Sequence, residues 1–195
     1  GLMELSTGAV KWLTTDILWD VEAFDLSPDG RHLLLETNEA GVSTLRLMDT
    51  TTLATRQVEG IPVGVIGGMS WSPDSSEAAF SVGSARSTSD VYTLETATGR
   101  VERWTESELG GLIAEQLPEA ELIRWKSFDG QEISGFLYRA AKKFSGKRPV
   151  IISIHGGPEG QSRPGFQGRS NYFMNETGVA MIFPNVRGSV GYGKT

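Results

Sequence analysis

The stretch Leu26-Ser27-Pro28-Asp29-Gly30 returns 45 positions later as Trp71-Ser72-Pro73-Asp74-Ser75. Leu45-Arg46-Leu47-Met48-Asp49-Thr50 returns after 46 positions as Val91-Tyr92-Thr93-Leu94-Glu95-Thr96. Gly8-Ala9-Val10-Lys11-Trp12-Leu13-Thr14 returns after 91 positions, the sum of the two, as Gly99-Arg100-Val101-Glu102-Arg103-Trp104-Thr105. Three matches in one register define a repeat of about 45 residues. Each copy reads strand, Pro-Asp-Gly/Ser turn, strand, loop, strand, Thr/Gly turn, strand. Proline presets φ for the turn, and Asp followed by Gly or Ser tolerates its tight positions. Val91, Thr93 and Glu95 alternate with Tyr92 and Leu94, the period of a strand. Four short strands in such a period describe one β-propeller blade. About two blades are expected, roughly over residues 15–105, after an outer strand of a preceding blade at the N-terminus. Closed propellers take about four to eight blades. The chain is therefore expected to be part of a larger propeller.

Composition narrows the chemistry. The 195 residues hold 24 Asp+Glu against 18 Lys+Arg, a formal charge of −6, with two His and no Cys. That balance argues against nucleic acid or an anionic membrane as partner, because both need clustered Lys and Arg. No apolar run is long enough to span a bilayer, and no signal peptide is visible. The cytoplasm is favoured, with a periplasmic or secreted site left open by the Gly at position 1. Without cysteine there is no disulfide, thiolate nucleophile or Cys-held metal, and two His leave few ligands or bases. No cofactor and no metal site are expected. Glycine, 24 of 195 residues, is abundant and fits many tight turns.

The pattern changes after residue 105. Glu106, Glu108, Gly110-Gly111 and Pro118-Glu119 continue no blade, which places a boundary near Leu117–Glu119, with a partial propeller over 1–118 and a second domain over 119–195. Leu122 to Phe128 and Ile133 to Tyr138 read as a hairpin about Asp129-Gly130. Two nearly continuous apolar runs follow, Pro149 to Ile154 and Gly178 to Phe183. Runs apolar on both faces suit parallel strands buried between helix layers. Ser170 to Thr177 reads as a helix stopping before Gly178. This β-α-β order begins an α/β domain.

The candidate chemistry lies at the strand ends, where open α/β sheets keep their sites. The first run ends in His155-Gly156-Gly157-Pro158 and the second in Asn185-Val186-Arg187-Gly188-Ser189-Val190-Gly191-Tyr192-Gly193. A His-Gly-Gly loop after a central strand supplies part of the oxyanion hole in α/β-hydrolases. A backbone N–H must reach a developing oxyanion with no side chain in its way, hence glycine.

Together the Ser-Pro-Asp blade repeats, the Phe128-Asp129-Gly130 to Leu137-Tyr138 hairpin and the two strand-end loops resemble the prolyl oligopeptidase family of serine peptidases, nearest its acylaminoacyl-peptidase and dipeptidyl-peptidase-like branch. The resemblance covers essentially the whole chain. It implies β-propeller blades followed by the N-terminal part of an α/β-hydrolase domain. It also implies a Ser nucleophile on a Gly-x-Ser-x-Gly elbow, followed by Asp and His. No Gly-x-Ser-x-Gly occurs here, so all three would fall after Thr195, and these 195 residues are expected to be inactive alone. In related members a backbone N–H of the first loop, or a Tyr hydroxyl at the position of His155, helps hold the oxyanion. With His at that position, the Gly157 N–H is the expected donor, with Gly156 and His155 completing the loop. The implied partners are short peptides; an esterase on the same fold and a non-catalytic propeller module are the competing readings. Self-association through exposed sheet edges is also expected.

Other residues have plainer readings. His155 as a base would need a Ser and an Asp beside it. Ser189 resembles an elbow serine, but Arg187 stands where glycine is required. Arg187 is expected to support the substrate pocket by pairing with a carboxylate that fixes the loop. Glu159 and His32 read as solvated loop residues, and Trp12, Trp71 and Trp104 as blade-packing residues. Gly188 to Thr195 formally satisfies G-x-x-x-x-G-K-[ST]. The propeller repeats and the His-Gly-Gly loop one strand earlier argue against a phosphate loop.

Overall fold

The computed structural model describes residues 1–157 and 159–194. Strands β1 (Leu2–Met3) and β2 (Val10–Lys11) form a small hairpin. Strands β3 (Asp20–Leu26), β4 (His32–Glu39), β5 (Val42–Asp49) and β6 (Thr55–Gln57) form one antiparallel sheet, blade 1. Strands β7 (Gly64–Trp71), β8 (Glu77–Ser84), β9 (Ser87–Glu95) and β10 (Val101–Arg103) form a second, blade 2. Each is a meander of consecutive neighbours, as the repeat requires.

The registers also repeat. Met3 faces Val10, Met48 faces Thr55 and Leu94 faces Val101, three pairs related by the sequence offsets. The N-terminal hairpin is thus the outer strand pair of another blade, one strand more than the sequence pattern predicts. Gly30 turns at φ +71°, and its counterpart Ser75 adopts φ +62° despite its Cβ. Ser75 Oγ accepts a hydrogen bond from the Asp29 N–H at 3.1 Å, which joins the two blades. Leu34, Leu45, Leu47, Ile66, Phe80, Val82 and Leu94 close a dry core between the blades. Each such side chain contributes about 1.5–3 kcal/mol of burial.

The second region is one mixed sheet. Its strands are β11 (Ala120–Lys126), β12 (Glu132–Tyr138), β13 (Val150–Ile152) and β14 (Ala180–Asn185), in the order β11-β12-β14-β13. β13 and β14 run parallel, connected through a 3₁₀ turn (Gly168–Ser170) and the short helix α1 (Asn171–Asn175). Gly178, at φ +68°, follows that helix. No helix among the described residues is long and apolar enough to cross a membrane.

Several local expectations are corrected. The hairpin strand spans Ala120–Lys126, and Phe128, 96% exposed, stands in the turn. The first apolar run gives only a three-residue strand, and that strand is not buried: Val150 and Ile152 are 53% and 63% exposed. β13 lies on the sheet edge, and its unpaired side is uncovered among the described residues. Trp12 and Trp104 are exposed, because they sit on or beside the outer strands of their hairpins. Of the three tryptophans only Trp71 packs into the interblade core. His32 is half-buried rather than solvated and stacks on Trp71 with ring centroids 6.3 Å apart.

A second core joins blades to sheet. Ala85, at the β8–β9 tip, packs with Ala120, Phe136, Tyr138, Met174 and Met181, with Val42 of β5 against them. The β4–β5 tip is a two-residue turn with positive φ at both Ala40 (+54°) and Gly41 (+98°), the geometry that keeps twisted strands paired. A Cβ on Gly41 would lie 2.8 Å from the Phe136 ring, so glycine lets this tip seat against the sheet.

Candidate functional site: the loops after β13 and β14

Both parallel strands end at the same edge of the sheet, and their loops meet there. His155 Nε2 lies 2.8 Å from Ser189 Oγ, and His155 Nδ1 lies 3.0 Å from Gly156 O. A carbonyl only accepts, so this assigns the proton of a neutral ring to Nδ1 and leaves Nε2 to accept from the Ser189 hydroxyl. The pair resembles a nucleophile and base, but the third group is a backbone carbonyl rather than a carboxylate. Ser189 is buried, its N–H donating to Val186 O at 3.0 Å within its own turn. The arrangement ties the two loops together, and the sequence gives no sign that these residues meet.

Gly157 has φ +139°, and a Cβ there would lie 2.7 Å from Gly160 N and 3.0 Å from Glu159 N. Gly160 is as tightly placed, since its Cβ would fall 2.6 Å from Gly156 O. The loop folds back on itself in a turn that only glycine fits. Among the described residues no acceptor takes the Gly156 or Gly157 N–H. A tight glycine turn at a strand end, with free N–H groups, can donate to an anionic oxygen. Glu159 is exposed, as expected of a solvated loop residue. The Pro158 position of the motif lies outside the described residues.

The loop after β14 is held from several sides. Arg187 forms an ion pair with Asp129, and its guanidinium lies 5.1 Å from the Phe128 ring centroid. The hydrogen bond from Arg187 holds the Asp129 carboxyl below the ordinary carboxylate range. Arg187 therefore pairs with a carboxylate and fixes the hairpin turn to the loop. The Tyr192 hydroxyl donates to Asn185 O at 2.5 Å and accepts from Ser134 N at 3.0 Å, which fastens the loop to β12. Asn185 then clamps the other loop: its Oδ1 accepts from Ser162 N at 2.7 Å, and its Nδ2 donates to Ser162 O at 3.0 Å. Lys194 Nζ donates to Thr14 O at 2.6 Å, and its N–H to Leu18 O at 2.9 Å. The lysine that a phosphate loop would aim at its ligand is thus engaged by the N-terminal segment, and Thr195 lies outside the described residues. No group of three or more His, Asp and Glu suited to a metal occurs among the described residues.

Fold and loops together define a class: propeller blades docked on the opening strands of an α/β-hydrolase sheet, with a glycine loop at its first parallel strand. No family model matches the sequence. Prolyl oligopeptidase A of Galerina marginata is 33% identical over 97 residues, which are 48% of this chain and 13% of that protein. Among solved structures, a prolyl endopeptidase matches with a TM-score of 0.74 at 22% identity, over 92% of this chain and 26% of its own. The acylaminoacyl peptidase of Pyrococcus horikoshii matches with a TM-score of 0.72 at 24% identity, over 95% and 28%. A puromycin-hydrolyzing peptidase of Mycobacterium tuberculosis matches with a TM-score of 0.73 at 22% identity, over 89% and 27%. This chain has the fold of the corresponding part of these proteins, and the resemblance carried by its motifs stands. It spans 13% of the curated relative and about a quarter of each solved chain.

Proposed function

We propose that these 195 residues are the propeller–hydrolase junction of a serine peptidase that cleaves short peptides through an acyl-enzyme. Gly157 supplies one oxyanion donor. The observation that carries this reading is the Gly157 turn: a side-chain-free backbone in a conformation that only glycine fits, at the end of the first parallel strand. In the proposed reaction a serine supplied by the rest of the full-length protein attacks the peptide carbonyl. As the carbonyl oxygen gains charge, the Gly157 N–H donates to it. His155 keeps the loop closed through Ser189, and Arg187 keeps the second loop in register with the Phe128–Asp129 turn. Residues 1–118 as partial propeller and 119–195 as the start of the catalytic domain complete this assignment.

A fluorophosphonate probe tests it. In the full-length protein the probe should label one serine, outside residues 1–195, and abolish hydrolysis of an acylated peptide anilide. In the isolated 195 residues no serine, Ser189 included, should be labelled, because half an oxyanion hole without a nucleophile stabilises no covalent intermediate. A full-length protein that neither reacts with the probe nor cleaves the anilide would show the reading to be wrong.

A further inference from the structure

The segment that carries Gly157 is anchored to blade 1 a few residues further on. Arg163 donates from Nε to Gly41 O at 3.0 Å, from Nη1 to Glu22 Oε2 at 2.8 Å and from Nη2 to Ser43 Oγ at 2.9 Å. These partners lie on three parts of the blade: β3, the β4–β5 tip and β5. Gln161 Oε1 accepts from Asn38 Nδ2 at 2.8 Å, and the same amide donates to Glu22 Oε1 at 2.7 Å. Asn38 Oδ1 in turn accepts the Gly41 N–H at 2.9 Å, so the tip that receives Arg163 is itself fixed. Ser43 passes the contact inward, its hydroxyl donating to the buried Glu36 carboxylate at 2.6 Å. Arg163 is the one cation among these groups, facing Glu22 and Glu36.

Among the described residues, the segment between Gly157 and Arg163 is tightly held. Ser162 is clamped by Asn185, and Gly160 touches Gly156 so closely that it leaves no room for a methyl group. Among the described residues, this packing leaves little room between Arg163 and the Gly156–Gly157 turn to take up a shift of Arg163. Oxyanion donors act only when held in place before charge develops, and small displacements cost large factors in rate.

We propose that Arg163 is a positioning residue that sets the Gly157 loop only when blade 1 is seated against the hydrolase sheet, through its contacts with Glu22, Gly41 and Ser43. The proposal rests on the reading of Gly157 as an oxyanion donor. It adds a coupling between propeller docking and the competence of the site.

The test uses the full-length protein, its Arg163→Met, Arg163→Lys and Glu22→Gln variants, and Gly157→Val as a reference. Hydrogen exchange is followed over residues 153–163 and over β12 and β14, beside steady-state kinetics on an acylated peptide anilide. Arg163→Met should speed exchange of the Ser162 N–H, which donates to Asn185, at least about tenfold while β12 and β14 stay protected. It should lower kcat about tenfold or more with KM within about threefold. Glu22→Gln should give the same pattern, smaller. Arg163→Lys should recover part of it, because an ammonium replaces one arm of a three-armed fork. Unchanged exchange at Ser162 overturns the proposal, and so does a speed-up shared equally by β12 and β14, which marks a merely structural residue. It is also overturned if Gly157→Val lowers kcat while Arg163→Met leaves kcat intact. If instead Gly157→Val leaves kcat unchanged, the oxyanion reading is what fails, and the exchange data still decide whether Arg163 holds the loop.

Discussion

The two blades are copies of one repeat, yet their polar interiors are completed from different places. Blade 2 closes on itself. The Asp90 side chain is fully buried and accepts hydrogen bonds from Ser87, from Arg103 at 2.6 Å, and from the Ser107 N–H and hydroxyl at 2.7 and 2.8 Å. Burial pushes its carboxyl up, but the Ser87, Ser107 and Arg103 bonds outweigh that and hold it down at about 2. Blade 1 is completed from outside. Glu36 has Ser43 in its own sheet, and Arg163 from the loop after β13 donates to that Ser43; burial raises the Glu36 pKa, against the Ser43 bond, and Glu22 raises it further. The tips differ in the same sense. On blade 2, Arg86 Nε donates to Leu117 O at 3.0 Å, in the segment that leaves the propeller. At the equivalent place on blade 1, Gly41 offers its carbonyl to Arg163. A repeat specifies its backbone, and the position where one copy departs from the other marks the docking surface for the next domain.

The sharpest way to break this contrast is Gly41→Val. The new side chain would meet Phe136 and Ser162 O at a φ of +98°. Strain and overpacking together should cost about 3 kcal/mol in urea unfolding. Arg86→Ala at the equivalent tip gives up a partly exposed pairing and should cost under about 1 kcal/mol. Equal losses at both tips would erase the distinction.

Asp90→Ala comes next, at about 2–3 kcal/mol, because it strands buried donors of Ser87 and Ser107 inside blade 2. The depressed Asp90 carboxyl contributes stability that is complete above its unfolded value near 3.8 and is lost as pH falls towards 2. Glu36 runs the other way. Its raised carboxyl contributes stability below its unfolded value near 4.5, and that contribution is lost as pH rises through the folded value. Glu36→Gln keeps an acceptor for Ser43 and removes the buried charge. It should therefore raise Tm by a few degrees at pH 7 and change little at pH 4, as read by calorimetry. A loss at pH 7 would mean that the attraction between Glu36 and Arg163 outweighs the burial of the carboxylate. The smallest effect is expected for Ser75→Gly, where relief at φ +62° offsets the lost bond from Asp29. Stability should stay within about 0.5 kcal/mol of the parent.

The blades were readable in the sequence because turn chemistry and strand period repeat, and three matches in one register leave little freedom. The glycine loop after β13 was readable for a related reason, since only glycine tolerates such a turn. The burial of β13 was misread. An apolar run reports what a strand is suited to contact, not what covers it, and Val150 and Ile152 are exposed. Exposed edges of this kind pair with other strands, so Ile152→Lys is expected to reduce self-association of the 195 residues in light scattering. Arg163, Asn185 and the His155–Ser189 contact left no local sequence signal. Their roles depend on partners 23 to more than 100 positions away, brought together only by the folded sheet and, for Arg163, by its docking on the blade. Arg163, in a loop beside Gln161 and Ser162, looks in sequence like any solvated arginine.

The most direct test of the site is kcat of Gly157→Val in the full-length protein, with a melt to show that the variant is folded. A branched side chain at φ +139° forces the turn to open and swings its N–H away from the oxyanion. The expected result is a fall of about 10²–10³ in kcat, or ~2.7–4 kcal/mol, with a far smaller change in KM. A folded variant whose kcat changes less than about threefold would place the donor elsewhere and contradict the reading of this loop.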